Sequence, residues 1–352
     1  MADNLDLSKF IAENTFTVSE AMKKIDNNAN GIVFFLDDNK HLIGSLTDGD
    51  VRRHLLKGGS MISPALDAAN KNPKFSRSFA EAKKIYHNRD YIVIPIVDAK
   101  GVVIGLYSSY SEGYDPRFEK KLDLQVVINA GGQGTRLYPL TKVLPKPLIP
   151  VGELPILEHI MKEYQRYNCN RFNVIVNYKK ELIKSYFREC ENHYDIDWYD
   201  EDMPLGTGGG LRLLKGKLDK TFFFANCDVL LTSNYSDIVN FHKENNNTVT
   251  MVCAYKNLSI PYGVVDIGVN GVIKNMREKP LMSFLTNTGI YLVEPNVIND
   301  IKDNEVLGFP DIIERERKMG KKVAAYPVSE NEWMDMGQFP ELQKMRVKLY
   351  GE

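Results

Sequence analysis

Two pairs of short apolar runs stand in the first third of the chain, and a polar turn separates the members of each pair. The four runs are GIVFFL (31–36), HLIGSL (41–46), YIVIPIV (91–97) and GVVIGLY (101–107). A stretch with apolar residues at helical spacing precedes each pair, SEAMKKI at 19–25 and FAEAKKIY at 79–86. Short β-rich runs separated by Asp, Asn, Lys and Gly are typical of hairpins. The pattern predicts two copies of a helix followed by a β-hairpin.

The two copies match each other at a constant offset of 61 positions. At this offset Glu20 falls on Glu81, and Asp37 falls on Asp98. A fixed offset without gaps indicates that one supersecondary unit has been duplicated.

The pattern of apolar residues changes at Leu124. The run LQVVINA (124–130) is short and rich in apolar residues, as is typical of buried parallel strands. It ends in the glycine-rich loop GGQG (131–134), and a second run of the same kind, TFFFANCDVLL (221–231), follows later. These features predict an α/β domain with a parallel core.

A polar stretch with Gly and Pro, SSYSEGYDPRFEKKLD (108–123), separates the two patterns. Such composition is typical of a linker between domains, and 352 residues are enough for two domains. We therefore expect a small α/β domain over 1–112, a linker over 113–123 and a second domain over 124–352.

Composition excludes several classes of protein. The chain is 43% hydrophobic and 26% charged, which is typical of globular proteins, and its net charge of -1 argues against a strongly basic nucleic-acid binder. No apolar run approaches the ~18 residues of a membrane span, and the first residues do not resemble a signal peptide. The four cysteines lack CxxC spacing. We expect a cytoplasmic protein without membrane or nucleic-acid partners.

The glycine-rich loop continues into the run NAGGQGTRLYPLTKVLPKPLIPVGELPIL (129–157). A strand that ends in such a loop presents backbone N–H groups to phosphate. The loop is neither a Walker A motif nor a GxGxxG fingerprint. The whole run resembles the signature of the sugar-1-phosphate nucleotidyltransferases, with the elements GGxGTRL, PLT, PKPL, PV and PIL. The resemblance extends over residues 124–350. It implies a Rossmann-like α/β domain with a mixed, mostly parallel sheet.

The resemblance implies a set of nucleotide-binding residues. Arg136 and Lys146 are the expected catalytic cations, because both side chains neutralise phosphate charge. A second loop, DEDMPLGTGGG (200–210), resembles the segment that holds the nucleobase in this family. The expected nucleotide-binding residues are Gly131, Gly132, Gly134, Thr135, Glu201, Gly206 and Thr207.

The same resemblance implies a metal site and a sugar site. Asp228 and Asp335 are expected to hold one Mg²⁺, an ion that prefers oxygen ligands and substrate phosphates. Cys227 stands where the family usually has Gly, and this departure keeps the neighbouring carboxylate. The expected sugar-phosphate residues are Tyr262, Gly263, Glu278, Lys279, Asn287 and Thr288. Taken singly, each residue has a structural alternative such as a helix cap or a solvated ion pair.

The duplicated region over 10–112 resembles a CBS-domain pair. The most specific piece is GSLTDGD (44–50), where the resemblance implies that Thr47 and Asp50 bind the ribose of an adenine nucleotide. The second copy has Ser108 and Ser111 at these positions, so we expect one competent site at most.

A structural alternative remains open for the CBS motif. Thr47 and Asp50 also suit the cap of a helix that starts at Val51. Because CBS pairs often associate with each other, we expect a homodimer through residues 1–112.

The substrates are inferred from one residue and from the domain combination. A carboxylate at Glu201 suits guanine, whose N1–H and N2–H₂ groups are donors, better than uracil, which places one donor between two acceptors. We therefore favour GTP over UTP. The domain combination resembles guanylyltransferases that use glucosamine 1-phosphate in bacterial legionaminic acid biosynthesis, for flagellin glycans. Mannose 1-phosphate and a heptose 1-phosphate are alternatives.

A hypothesis of a different class stays open. The chain could be a CBS nucleotide-sensing subunit with an inactive transferase domain. Such a domain is expected to have lost a cation or a metal-binding carboxylate, whereas Arg136, Lys146, Asp228 and Asp335 are all present.

Overall fold

The computed structural model describes residues 7–28, 30–78, 81–82, 85, 93–108 and 121–351. Contacts between Cα atoms divide the chain into two units. The first unit combines Met1–Arg117 with Tyr255–Phe284, and the second combines Phe118–Ala254 with Leu285–Glu352. Most of the expected linker over 113–123 lies outside the described residues, so the domain boundaries stay a prediction.

The regular elements are named here in chain order. The helices are α1 (Val18–Asn28), α2 (Asp48–Leu56), α3 (Ala65–Ala68), α4 (Ile156–Gln165), α5 (Lys180–Glu189), α6 (Tyr235–Glu244), α7 (Phe309–Lys318) and α8 (Phe339–Tyr350). The first nine strands are β1 (Ile11–Ala12), β2 (Ile32–Leu36), β3 (Leu42–Thr47), β4 (Val93–Val97), β5 (Val103–Ser108), β6 (Val126–Ala130), β7 (Pro150–Val151), β8 (Leu154–Pro155) and β9 (Arg171–Val176). The remaining strands are β10 (Asp195–Asp200), β11 (Phe222–Asn226), β12 (Val229–Leu231), β13 (Val249–Ser259), β14 (Val264–Ile267), β15 (Ile273–Arg277), β16 (Leu281–Val293), β17 (Val323–Val328) and β18 (Trp333–Asp335).

The two hairpins of the first unit are equivalent, as the duplication predicts. Ile32 lies opposite Thr47 in the β2–β3 hairpin, and Val93 lies opposite Ser108 in the β4–β5 hairpin. Each pair of positions is related by the same offset of 61, as in the sequence. Each hairpin also shifts its register before the last residue of its first strand. The duplicated β-hairpin is therefore confirmed.

The turns of the two hairpins are built in the same way. Asp37 accepts hydrogen bonds from the backbone N–H groups two and four residues ahead, at 2.9 and 2.8 Å. Asp98 accepts the equivalent pair at 2.8 and 2.9 Å. His41 and Val102, which are also related by the offset, form a β-bridge between the two turns. A short Asp side chain bonded to its own turn explains why the duplication kept this residue.

Thr47 and Asp50 cap helix α2, and the helix begins at Asp48 rather than at the expected Val51. The backbone N–H of Asp50 donates to Thr47 Oγ1 at 3.2 Å, and the backbone N–H of Thr47 donates to Asp50 Oδ2 at 3.0 Å. This reciprocal capping box needs the acid at the third helical position, which moves the helix start three residues earlier. Arg53 donates to Asp50 Oδ1 at 2.5 Å. Ser111, the counterpart of Asp50, lies outside the described residues.

A seven-stranded sheet dominates the second unit, with the order β10-β9-β6-β11-β16-β13-β17. Four neighbouring pairs are parallel: β10–β9, β9–β6, β6–β11 and β13–β17. The β11–β16 pair is antiparallel. The expected Rossmann-like, mixed and mostly parallel sheet is confirmed.

The central strands of this sheet are buried on both faces. Ile128 and Phe223 belong to one core, which also contains residues of α4, α6 and α8. Val127 and Phe224 belong to the other core, which contains residues of α7. Continuous apolar runs such as VVI and FFFA are explained by this burial, because successive side chains point to opposite faces of a strand.

Within the part of the chain that the structure describes, no helix is both long and apolar enough to cross a membrane.

Phe223→Ala should lower the free energy of unfolding of the second unit by about 3–5 kcal/mol, because the fully buried ring packs against Tyr164 and Tyr235. The two tryptophans of the sequence, Trp198 and Trp333, both lie in this unit. Urea unfolding followed by tryptophan fluorescence therefore measures the effect.

Phe339→Ala is the matched control for this truncation. Its ring is 46% exposed, so the expected change is below about 1 kcal/mol. Equal losses for the two variants would contradict the assignment of Phe223 to the core.

Candidate functional site

The glycine-rich loop and Asp228 leave the sheet at the same edge. Strands β6 and β11 are parallel neighbours, with Asn129 opposite Asn226 at their carboxyl ends. The loop follows β6 directly, and Asp228 follows β11 after one intervening residue. In open α/β sheets this edge is where ligands bind.

A second strand pair brings Asp335 next to Asp228. Strands β12 and β18 pair antiparallel, and Val229 lies opposite Asp335. The backbone N–H of Met336 donates to the carbonyl oxygen of Asp228 at 2.8 Å. Burial raises the pKa of Asp335, and the negative charge of Asp228 raises this pKa further. Two carboxylates that are far apart in sequence therefore interact at one place.

Two cations offset this negative charge. Lys146 Nζ forms an ion pair with Asp228 Oδ2, and the side chains of these residues are only 11% and 15% exposed. Arg136 is exposed, and its charge opposes the rise in the pKa of Asp335. The structure thus brings together the expected catalytic pair, Arg136 and Lys146, and the expected metal ligands.

The glycine-rich loop rests directly on Lys146. Gly134 has a φ of +64°, and a Cβ atom at this position would lie 3.2 Å from Lys146 Cβ. A side chain at position 134 would therefore strain the backbone and crowd the side chains of Thr141 and Lys146.

Three residues that support this loop were missed by the sequence analysis. Thr141 Oγ1 donates to the carbonyl oxygen of Gly134 at 2.9 Å. Tyr178 donates its hydroxyl to the carbonyl of Thr141 at 3.3 Å, and Lys179 Nζ donates to the carbonyl of Val143 at 2.9 Å. Thr141 belongs to the PLT element of the signature run, which is a signal that could have found it. No sequence signal distinguishes Tyr178 and Lys179.

Glu201 is a buried carboxylate wedged between two glycines. It is 4% exposed, and a Cβ atom on Gly131 or Gly210 would lie 2.6 or 2.5 Å from its carboxylate oxygens. Its Oε1 atom finds no hydrogen-bond partner within the described part of the chain. Burial raises the pKa of Glu201 to about 7, against the opposing effect of the backbone N–H of Leu205. Gly131 thus belongs both to the glycine-rich loop and to the surroundings of this carboxylate.

The rest of the second loop is held by the segment that leads into α7. Thr207 Oγ1 accepts a hydrogen bond from the backbone N–H of Phe309 at 2.9 Å. Gly206 has a φ of +81°, and a Cβ atom there would collide with the carbonyl of Leu307. Both residues therefore have a structural role, and their expected contacts to a nucleotide stay predictions.

Gly132 and Thr135 lie on the open side of the glycine-rich loop. Both are exposed, and a Cβ atom on Gly132 would meet no other atom within 4 Å. The backbone at Gly132 is therefore accessible to a ligand, as the expected phosphate contact requires.

Asn287 and Thr288 lie on β16, which neighbours β11. Thr288 is 2% exposed and donates its hydroxyl to the carbonyl of Val252 at 2.8 Å. Asn287 Nδ2 donates to Tyr291 Oη at 2.6 Å. A Cβ atom on Gly289 would lie 2.6 Å from Asn226 Nδ2, which places this turn of β16 at the carboxyl end of β11. Thr288 thus stabilises the sheet. Asn287 lies near the carboxyl end of β11, and its role toward a sugar stays a prediction.

The other four expected sugar residues belong to the first unit. Tyr262 is 74% exposed and precedes the β14–β15 hairpin. Glu278 and Lys279 follow this hairpin, and a Cβ atom on Gly263 would lie 3.0 Å from Glu278 Oε2. The hairpin therefore brings these residues together within their unit, and their role toward a sugar stays a prediction.

Asp228 and Asp335 fit a metal that substrate completes. Across the described residues, no group of three or more His, Cys, Asp or Glu side chains is placed to hold a metal ion. Two carboxylates leave positions open for water and phosphate oxygens, which is how Mg²⁺ binds in phosphate-transfer sites. The donor set thus suits Mg²⁺ bound together with a phosphorylated substrate.

Two family models match this chain. The family model described as nucleotidyl transferase matches residues 125–350, and the CBS domain model matches residues 9–57. The first match confirms the resemblance to the nucleotidyltransferases, and the second confirms the CBS resemblance for the first of the two copies.

Individual relatives share the second region. The chain is 32% identical over 225 residues to the mannose-1-phosphate guanyltransferase of Pichia angusta, which covers 60% of this chain and 60% of that protein. It is 34% identical over 187 residues to the bifunctional protein GlmU of Methanococcus maripaludis, which covers 52% of this chain and 43% of that protein. The chain thus spans 60% and 43% of the length of these two curated relatives.

The fold is shared with solved structures. HddC from Yersinia pseudotuberculosis superposes with a TM-score of 0.51 at 22% identity, over 64% of this chain and 99% of that chain. This likeness concerns the architecture of the sheet and its helices.

Glu201→Gln should stabilise the second unit relative to the wild type, and the difference in the free energy of unfolding should grow as pH rises. The folded-state pKa of about 7 exceeds the ordinary value of 4.5, so the unfolded state loses its proton first and the wild type loses stability between pH 4.5 and 7. A one-unit difference in pKa corresponds to about 1.4 kcal/mol. Urea unfolding followed by tryptophan fluorescence at pH 5 and pH 8 measures the widening difference.

Glu181→Gln is the control, because the Glu181 side chain is 73% exposed. It should shift the unfolding midpoint equally at both pH values. A difference between Glu201→Gln and wild type that does not depend on pH would show that burial does not perturb Glu201.

Proposed function

The chain belongs to the nucleotidyl transferase family, and from this premise we propose that it transfers a guanylyl group from GTP to a sugar 1-phosphate and releases pyrophosphate. The observation that supports this most is the meeting of Arg136, Lys146, Asp228 and Asp335 beside the glycine-rich loop at the carboxyl edge of the sheet. Loop, cations and carboxylates together provide the groups that a phosphate-transfer reaction between two polyanions needs.

The reaction is attack by a phosphate oxygen of the sugar 1-phosphate on the α-phosphorus of GTP. The attacking oxygen is already ionised, so no general base is required. The phosphorus–oxygen bond to pyrophosphate breaks, and the pyrophosphate leaves as an anion. Because both substrates are negatively charged, positioning and charge neutralisation account for most of the catalysis.

Lys146 and Arg136 bind the triphosphate in this proposal. The exposed Arg136 guanidinium can hold two phosphate oxygens, whereas Lys146 supplies a point charge next to Gly134. The ion pair with Asp228 keeps Lys146 Nζ oriented toward this edge of the sheet. Asp228 and Asp335 would hold Mg²⁺, which when bound neutralises phosphate charge.

Glu201 reads the guanine base in this proposal. Its two carboxylate oxygens match the two donors of guanine, and its Oε1 atom has no hydrogen-bond partner within the described part of the chain. Since the pKa of Glu201 is raised to about 7, the matching charged form predominates above neutral pH.

Glucosamine 1-phosphate is the proposed acceptor, on the basis of the domain combination. The Pichia angusta relative is a mannose-1-phosphate guanyltransferase, which supports the guanylyl group and makes mannose 1-phosphate the first alternative. The product would be a GDP-sugar for surface or flagellin glycans. We place the reaction in the cytoplasm.

The first unit is proposed to regulate this reaction. An adenine nucleotide at Thr47 and Asp50 would have to replace Arg53, which donates to Asp50 Oδ1. A homodimer through residues 1–112 is part of the same proposal.

Asp228→Asn should reduce pyrophosphate release from GTP and glucosamine 1-phosphate by at least about 100-fold, which is about 2.7 kcal/mol in the activation free energy. The substitution removes the charge that orients Lys146 and would hold Mg²⁺. A coupled pyrophosphate assay measures the rate, and Asp197→Asn, an exposed carboxylate on edge strand β10, should stay within twofold of wild type.

An unchanged rate in Asp228→Asn would contradict the role of this carboxylate. Absence of pyrophosphate release from wild type with all four nucleoside triphosphates, and with both glucosamine and mannose 1-phosphates, would contradict the proposed reaction. That result would favour the inactive-transferase hypothesis.

Glu201→Gln should lower kcat/KM for GTP by about 10–100-fold and that for UTP much less, because one acceptor for guanine becomes a donor. In the wild type, kcat/KM for GTP should rise between pH 6 and pH 8 as Glu201 ionises, and this rise should be absent in Glu201→Gln. Glu181→Gln should behave as wild type. A wild-type preference for UTP would refute the guanine assignment while leaving the reaction class intact.

A further inference from the structure

A cavity of about 620 Å³ lies in the first unit. Its walls come from the segment that connects the two copies of the duplicated motif, at Lys71, Lys74 and Arg77. The turns of both hairpins complete it, at His41 and Gly101. Its volume falls within the range of about 300–1,000 Å³ that is usual for small-molecule sites.

The cavity carries positive charge. Lys71, Lys74 and Arg77 line it, and its lining among the described residues includes no Asp or Glu. Considering only residues with described positions, none of these three cations forms a salt bridge. Uncompensated positive charge around a concave surface attracts anions.

Two carboxylates close to these residues have other partners. Asp37 Oδ2 lies 3.0 Å from Nδ1 of His41, which leaves Nε2 of this imidazole for a ligand. Glu81 accepts hydrogen bonds from the backbone N–H of Arg77 and from the hydroxyl of Ser76, and its charge also interacts with the Arg77 side chain. Glu81 thus offsets part of the charge of Arg77, whereas Lys71 and Lys74 have no acidic partner among the residues whose positions are described.

The cavity also has an apolar wall. Phe75, which is 46% exposed, lies between the basic residues, and Leu42 and Val97 line the same space. An exposed aromatic ring beside cations suits a ligand that combines phosphate groups with a planar or cyclic part.

This cavity is not the position that Thr47 and Asp50 define. His41 and Leu42 lie at the start of β3, and Thr47 is its last residue. A six-residue strand extends over roughly 17 Å, so the two places lie at opposite ends of the hairpin.

We propose that the cavity binds an organic di- or triphosphate, with its phosphates on Lys71, Lys74 and Arg77 and its ring on Phe75. The proposed reaction supplies two ligands of this class, the nucleoside triphosphate that it consumes and the nucleotide sugar that it makes. The choice of these two ligands rests on the proposed function. The argument that the cavity binds an organic phosphate does not depend on it.

Calorimetric titration of the full chain with inorganic pyrophosphate tests the phosphate part. Wild type should bind two equivalents, one in the cavity and one at Arg136 and Lys146. Lys74→Ala/Arg77→Ala and Arg136→Ala/Lys146→Ala should each bind one, and the fourfold variant should bind none. Lys9→Ala/Lys57→Ala, which removes two exposed cations of the same unit outside the cavity, should still bind two.

The outcomes separate this proposal from the proposed function. If Lys74→Ala/Arg77→Ala binds as wild type does, the cavity proposal is overturned. If only the site at Arg136 and Lys146 fails to bind, the proposed function loses its support while the cavity proposal stands. Circular dichroism of each variant shows that lost binding does not reflect lost structure.

The ring contact is tested in the Arg136→Ala/Lys146→Ala background, where the cavity alone binds. GTP and GDP-mannose should each bind at least tenfold more tightly than pyrophosphate, and Phe75→Ala should abolish this gain. The tighter of the two identifies the source, substrate or product. Equal affinity for pyrophosphate and both organic ligands would overturn the organic part of the proposal.

Discussion

The parallel pairing of β6 with β11 is the constraint on which the candidate site depends. It sets the glycine-rich loop and Asp228 at one edge, because the carboxyl ends of parallel neighbours coincide. The antiparallel pairing of β12 with β18 then adds Asp335 to this edge. Burial of the central strands on both faces stabilises this pairing.

Charge balance shapes what this edge can bind. Burial raises the pKa of Asp335, and the negative charge of the neighbouring Asp228 adds to this rise. Lys146 relieves part of it through its ion pair with Asp228. An arrangement with close carboxylates and nearby cations favours a ligand set with both positive and negative components, such as a metal with phosphates.

The surroundings of Glu201 are formed by packing between segments that are distant in sequence. Gly131 and Gly210 are distant in sequence, yet both face the same carboxylate, and a side chain at either position would displace it. Burial removes water from Glu201, which raises its pKa to about 7. The neighbouring Gly206 and Thr207, which stand in the same motif, are engaged instead with the start of α7. The loop over 200–210 thus contains both a buried carboxylate and residues that contact the start of α7.

The sequence by itself determined the duplicated hairpins, the parallel sheet and the type of residue at each signature position, because apolar periodicity, turn chemistry and glycine requirements are local properties. It also provided Arg136, Lys146, Asp228 and Asp335 through the family resemblance. Only the tertiary structure decided that Lys146 pairs with Asp228, that Tyr178 and Lys179 support the loop at Thr141, and that residues 255–284 group with the first unit. These features depend on atoms that meet across long sequence separations, and neither periodicity nor motif spacing carries that information.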